Sequence, residues 1–262
     1  MPRALRLAGT FLRVGILNEL QYRVNFAFSL VQSLISVGTS IAVLALVFGN
    51  TDSLHGWTAG ELLVVMGVYV LVGGLIKMIV QPNMQQLMED IQQGTLDFVL
   101  TKPADGQLLV SLRRVQLWQG VDIVVGGVLI VIATVRLPGT VPALAVAAFV
   151  LALALGSVAI YCFWLLLSTV AFWVTRLDPI VELFDGMYQA GRWPVSVYPG
   201  WLRVGFTVLV PLAFAVTVPA SALAGHGSGW LLLASVVFTA VLALLTRWVW
   251  RTALHRYSGA SS

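Results

Sequence analysis

Charge is what this sequence has least of. Only 10% of its 262 residues are Asp, Glu, Lys or Arg, while 59% are hydrophobic and the mean hydropathy is +0.92; an ordinary soluble domain carries roughly 25% charged residues. Fifteen basic and eleven acidic side chains cannot clothe a soluble protein of this size, so lipid must be the solvent for most of its surface. Cysteine is nearly absent: Cys162 stands alone in an apolar run, which excludes an internal disulfide framework and a cysteine-based metal site. Lysine occurs only at Lys77 and Lys102, and neither closes a glycine-rich phosphate loop, so the chain has no nucleotide-binding motif of that kind. His55, His226 and His255 lie far apart and outside any HExxH pattern, and no GxSxG elbow occurs, which leaves membrane metalloprotease and serine hydrolase readings without residues. The net charge of +4 forms no dense patch and has no aromatic-basic motif beside it, so nucleic acid is not expected as a partner.

What the sequence has is long apolar runs. A spanning helix needs roughly 20 mainly apolar residues, and six runs qualify: Phe26 to Phe48, Leu62 to Val80, Val115 to Val135, Ala143 to Val174, Leu202 to Ala224 and Trp230 to Trp250. The chain is therefore expected to be an all-α polytopic membrane protein, a single transmembrane domain over residues 1–262. The fourth run exceeds a straight crossing and must tilt, bend or continue into water. The fifth contains Pro211 and Pro219, which predicts a kink with neighbours satisfying the freed carbonyls.

Orientation follows from the basic residues. Arg3, Arg6, Arg13 and Arg23 precede the first run; Lys102, Arg113 and Arg114 follow the second; Arg176, Arg192 and Arg203 follow the fourth; Arg247, Arg251 and Arg256 lie at the end. The opposite connections hold a single Arg, Arg136, so both termini are expected in the cytoplasm, at the cell's inner membrane. No small-residue cleavage site follows the basic start, which argues against a signal peptide. Arg3, Arg6 and Arg13 lie opposite Leu5, Leu12 and Ile16 at helical spacing, so residues 3–23 read either as an amphipathic helix on the inner leaflet or as a basic flank that sets topology.

The longest polar connection, Gln81 to Arg114, is patterned. Met84, Leu87, Met88 and Ile91 recur at helical spacing with Gln85, Gln86, Glu89, Asp90, Gln92 and Gln93 on the other faces, which predicts a short amphipathic helix. Pro82 stands near its start and Gly94 at its stop. The element over 84–100 reads either as a cytoplasmic projection that receives force from a soluble partner or as an interfacial helix resting on lipid.

The run Ile91-Gln-Gln-Gly94-Thr-Leu96-Asp97-Phe-Val-Leu100-Thr-Lys102-Pro103 resembles the cytoplasmic motif of ABC-2 type transporter permeases, in the six-span branch that includes bacterial viologen and drug exporters. Trp193-Pro194 through Tyr198-Pro199 to Arg203, with Pro211 to Phe214 and Val218-Pro219-Ala220, is similar to that branch's fifth-span signature. The resemblance implies a permease that pairs with a second permease, identical or paralogous. It implies two copies of an ABC ATPase subunit carrying the ATP and Mg, none of which this chain holds, and usually export. The ATPase contact it implies is Met84, Leu87, Met88, Glu89, Asp90, Ile91, Gly94, Leu96, Asp97, Lys102 and Pro103. Larger members insert re-entrant helices between spans five and six; here only Gly225 to Gly229 intervenes, so none is expected at that place.

Within the apolar runs, Lys77 and Asp122 are the charges to explain. They read either as a structural ion pair or, with Tyr69 and Trp118 supplying cation–π contacts, as an acidic site for a hydrophobic or cationic small molecule. Ser29, Gln32, Ser33, Ser36 and Ser40 form a polar stripe on the first run, which suits helix packing as well as a substrate path. An ion-coupled carrier would explain the two charges but lacks visible internal repeats, and a structural membrane subunit would explain hydropathy alone.

Overall fold

The computed structural model describes residues 23–102, 105–173 and 178–256. The interfacial helix expected over 3–23, save its last residue, and Pro103 lie outside them. The described residues are helical throughout, apart from connections and one isolated bridge between Leu54 and Trp57. Eleven α-helices follow in order: α1 Arg23–Phe48, α2 Ala59–Leu75, α3 Gln81–Gln92, α4 Asp97–Leu100, α5 Gly106–Ser111, α6 Gly120–Val135, α7 Ala143–Thr169, α8 Asp178–Gln189, α9 Gly200–Val204, α10 Val218–Leu223 and α11 Gly229–Arg256. Helices are what such sequences must form in lipid, where each backbone N–H and C=O needs a partner within its own segment.

Among the described residues, five helical stretches are long and apolar enough to cross a membrane: Phe26–Phe48, Ala59–Gln92, Leu117–Val135, Ala143–Phe172 and Gly229–His255. They pack by backbone approach. A Cβ on Gly126 would stand 2.5 Å from Leu71 N, and one on Gly74 would stand 2.8 Å from Ile123 N, so α2 and α6 lie antiparallel at glycine distance. Thr239 Oγ1 donates to Leu155 O (3.3 Å) and Thr246 Oγ1 to Cys162 O (3.4 Å), a matched advance that makes α7 and α11 parallel. The end of the bundle bearing α3 is here the base; the end bearing the connections before α2, α7 and α11 is the crown.

Two expectations change. The second run does not end at Val80: α2 passes through a π-helical turn, Ile76–Val80, directly into α3, giving one rod over Ala59–Gln92. The fifth run, Leu202 to Ala224, is bent by 81° between Gly200–Leu209 and Ala213–Leu223, and its two arms start and finish at the same end. Residues 178–198 climb first. Phe184 packs on Trp164, Tyr188 stacks on Tyr69, and Trp57 Nε1 donates to Ser196 Oγ at the crown (3.2 Å). The chain then descends past Tyr198 against Phe206 to the bend, where Leu212 lies beside Gly191 at the depth of Tyr69. It rises again as Thr217 Oγ1 accepts from Val195 N (3.2 Å) and His226 reaches Glu61 at the crown (3.2 Å). The base-to-crown passage is thus made by 178–198, and Leu202 to Ala224 is a re-entrant pair just before α11, where none was expected. Its second arm is enclosed by protein from Leu212 to Val216 and from Val218 to Leu223.

Candidate functional site

The base is organised around Pro82. Proline has no N–H, so the carbonyl four residues back, Met78 O, loses its helical donor; Gln116 N donates to it instead (2.9 Å). The next residue, Asn83, is 0% exposed and uses its whole amide. Its Nδ2 donates to Ile79 O (2.7 Å) and Arg114 O (2.6 Å), and its Oδ1 accepts from Arg113 N (2.8 Å) and Arg114 N (2.9 Å). One side chain therefore ties the rod to the strand of chain that enters α6.

The helix α3 ends as its sequence predicts. Gly94 takes φ +70°, its N–H donates to Ile91 O, and Thr95 N–H reaches Asp90 O, the paired bonds of a Schellman stop. The apolar face does not point outward: Met84, Leu87, Met88, Ile91 and Leu96 are buried in the protein's own core. Asp90 is buried too, ion-paired with Arg113 and hydrogen-bonded by Gln86 Nε2 (2.7 Å). Of the residues expected at a partner contact, Glu89 and Lys102 are exposed and Asp97 is half-buried; Gln92, Gln93 and Phe98, the last 75% exposed, join them at the surface.

Beside this element, Asp105 caps α5 by accepting from Gln107 N (2.9 Å) and Leu108 N (3.3 Å), and pairs with Arg247 of α11. The Arg247 guanidinium holds the Asp105 carboxyl below the usual aspartate range, against a smaller opposing push from burial. A carboxyl so depressed contributes stability above its unfolded value, lost as pH falls through the folded one. Asp105→Asn is therefore expected to lower the thermal midpoint at pH 7, by a difference that narrows as the pH drops below about 4. A difference unchanged between neutral and acid pH would contradict it.

Higher in the bundle, α1, α2, the π turn, α6 and α8 enclose a polar cavity of about 540 Å³. Ser29, Gln32, Ser33 and Ser36 line it along one face of α1, with Tyr69, Lys77 and Asp122 opposite. Ser40 and Trp118 do not: Ser40 bonds back to Ser36 O (2.8 Å), and Trp118 sits in the turn before α6. Lys77 Nζ lies 3.3 Å from Asp122 Oδ2, their side chains 51% and 16% exposed, so Asp122 is not the unpaired carboxylate that a cation site requires. The sequence reading passed over Asp185 and Tyr188 of α8 and Arg192 of the 3-10 turn after it, Ala190–Arg192, which line the same wall. Tyr188 stacks on Tyr69 at 4.8 Å and donates to Tyr69 O (2.8 Å); Arg192 lies 5.7 Å over the Tyr69 ring. The signal for them was the i, i+3, i+7 spacing of Asp185, Tyr188 and Arg192.

A family model described as ABC-2 family transporter protein matches residues 34–261, most of the chain. The chain belongs to the ABC-2 transporter family. It is thus a multi-pass membrane permease, the transmembrane part of an ABC transporter, and the rod, the re-entrant pair and the cavity are parts of an ABC-2 permease. No curated protein and no solved structure matches it. Among the described residues no group of three or more His, Cys, Asp or Glu is arranged to hold a metal.

Proposed function

We propose that this permease is driven by separate ABC ATPase subunits, two copies in the complex, that dock at the base, and that it pairs with a second permease to export a small solute. ATP and Mg reside on the ATPases. Arg203 donates to Ser196 O at the crown and Arg192 lies inside the bundle on Tyr69, not on the side expected for them; Lys102, Arg113, Arg114, Arg247 and Arg251 still outweigh the crown and support a base facing the cytoplasm of a cell whose inner membrane holds the complex. The observation that carries the docking surface is the strip formed by Glu89, Gln92, Gln93 and Phe98 at the end of the rod. A phenyl ring 75% exposed among polar groups is an anchor of the kind that dominates protein contacts. The buried Met84, Leu87, Met88, Asp90, Ile91 and Leu96 act in this reading by holding that strip in place, not by touching the partner.

The test is the double variant Glu89→Lys with Phe98→Ala, chosen because neither side chain supports the fold. Recovery of the ATPase with the purified permease should fall about tenfold, the effect of losing one modest hot spot, with the permease's own melting unchanged. Unchanged ATPase recovery and transport would end the proposal.

A further inference from the structure

The cavity between α1, α2, α6 and α8 holds four charged groups, and two of them neutralise each other as the pair Lys77–Asp122. The other two, Asp185 and Arg192, are in no ion pair among the described residues. Arg192 offers its Nε to the Tyr69 hydroxyl at 3.5 Å and rests its guanidinium on the Tyr69 ring, a cation–π contact that leaves the terminal nitrogens without an anion. Asp185 lines the same space on the neighbouring α8. Seven residues separate Asp185 from Arg192, two turns of helix on one face, or about 11 Å. Apart from the Lys77–Asp122 pair, the wall around them is uncharged and rich in hydrogen-bonding groups: Gln32, Gln81, Gln85, Gln116, Gln119 and Gln189. The Ser33 hydroxyl, in a residue 5% exposed, lines the same space and has no hydrogen-bond partner. Buried polar groups are ordinarily satisfied, and a charge at membrane depth is retained where it faces a cavity with a task.

Resting on the transport reading above, we infer that the solute bound here is dipolar, its anionic end held by Arg192 over Tyr69, its cationic end by Asp185, and its middle by the glutamines and Ser33. A lone organic cation does not fit: with Asp122 neutralised, such a ligand would leave Arg192 unanswered and set its own charge in the same chamber. A short zwitterionic chain does. Three extended residues span about 10 Å between their ends, close to the rise of about 11 Å along the helix between the residues that carry the two charges.

The test measures binding to the full-length permease in lipid nanodiscs without ATPase, so that it is independent of docking at the base. The probes are trialanine, N-acetyl-trialanine, trialanine amide and tetraethylammonium. Trialanine should bind, and blocking either end should weaken binding about tenfold. Blocking the amine should make no further difference in Asp185→Asn, and blocking the carboxylate none in Arg192→Gln; Arg192→Lys should retain part of the discrimination. The wild-type comparison of blocked and free peptides needs no variant to fold. Equal binding of free and blocked peptides, no binding of trialanine at millimolar concentration, or tetraethylammonium binding as tightly as trialanine would overturn the inference. The Glu89→Lys, Phe98→Ala double variant should bind trialanine normally, so loss of docking and loss of this site are read separately.

Discussion

Replacing Asn83 with leucine is expected to unfold the base of this permease. The substitution keeps the number and branching of side-chain heavy atoms and removes an amide that serves Ile79 O, Arg114 O, Arg113 N and Arg114 N at once. Ile79 O lies inside the rod and has helical alternatives; the Arg113 and Arg114 groups belong to an irregular stretch, and the apolar side chain gives them no substitute. Three orphaned backbone groups at roughly 1–3 kcal/mol each amount to a large share of the 5–15 kcal/mol that holds a typical domain together. The expected result is a strong fall in folded yield and a melting midpoint too low to support assembly with the ATPase. Asn83→Asp is the companion: its Oδ1 still accepts from the two N–H groups, but a second oxygen stands where Nδ2 donated to Ile79 O and Arg114 O, so it too should lower the midpoint, by an amount that shrinks in acid, where a protonated carboxyl can donate again. A leucine variant that melts like the parent would show that the clamp is dispensable.

The second large effect is expected at Gly156. A Cβ there would stand 2.4 Å from Phe214 O and 2.6 Å from Ala215 Cα. Both are backbone atoms of the re-entrant pair's inner arm, so no side chain can swing aside to make room. Overpacking costs about 1–3 kcal/mol, and more where the neighbour is rigid backbone. Gly156→Ala should therefore depress the thermal midpoint sharply and abolish transport even in molecules that remain folded, because the inner arm is displaced from α7. Gly127→Ala is the control: nothing lies within 4 Å of the position its methyl would take, and its midpoint should hold. Comparable melting of the two variants would mean that the inner arm yields easily.

Much of the helical framework was legible because lipid imposes a simple rule on composition. The first, third, fourth and sixth runs coincide closely with α1, α6, α7 and α11. The rule fails where protein replaces lipid as the surroundings. Residues 202–224 are as apolar as a span because the inner arm is walled in by α2 and α7, so hydropathy could not tell a crossing from an entry and return. The passage that does climb, 178–198, carries Asp178, Glu182, Asp185, Gln189 and Arg192; one of its faces borders a polar cavity, and its average fell below notice. The Lys77–Asp122 pairing was readable because each residue's distance from the base followed from helical rise. The burial of Asp90 was not, since its partner Arg113 approaches from a stretch with no periodicity. The α3 face told the same half-truth: an amphipathic pattern reports that one side is buried, without saying whether its cover is the same chain or another.

The unbroken path from Ala59 to Gln92 has a mechanical meaning. It is gripped near Met78 and Asn83 by bonds to the segment entering α6, which makes that point a fulcrum. At 1.5 Å per residue the arm below it is about 15 Å long and the arm above it about 30 Å. Pushing the short arm sideways by 1 Å would swing the far tip by about 2 Å in the opposite sense. At that tip Trp57 grips Ser196 and Glu61 grips His226, the residues that bracket the re-entrant pair. A small stroke at one surface is thereby geared up and delivered to the plug at the other.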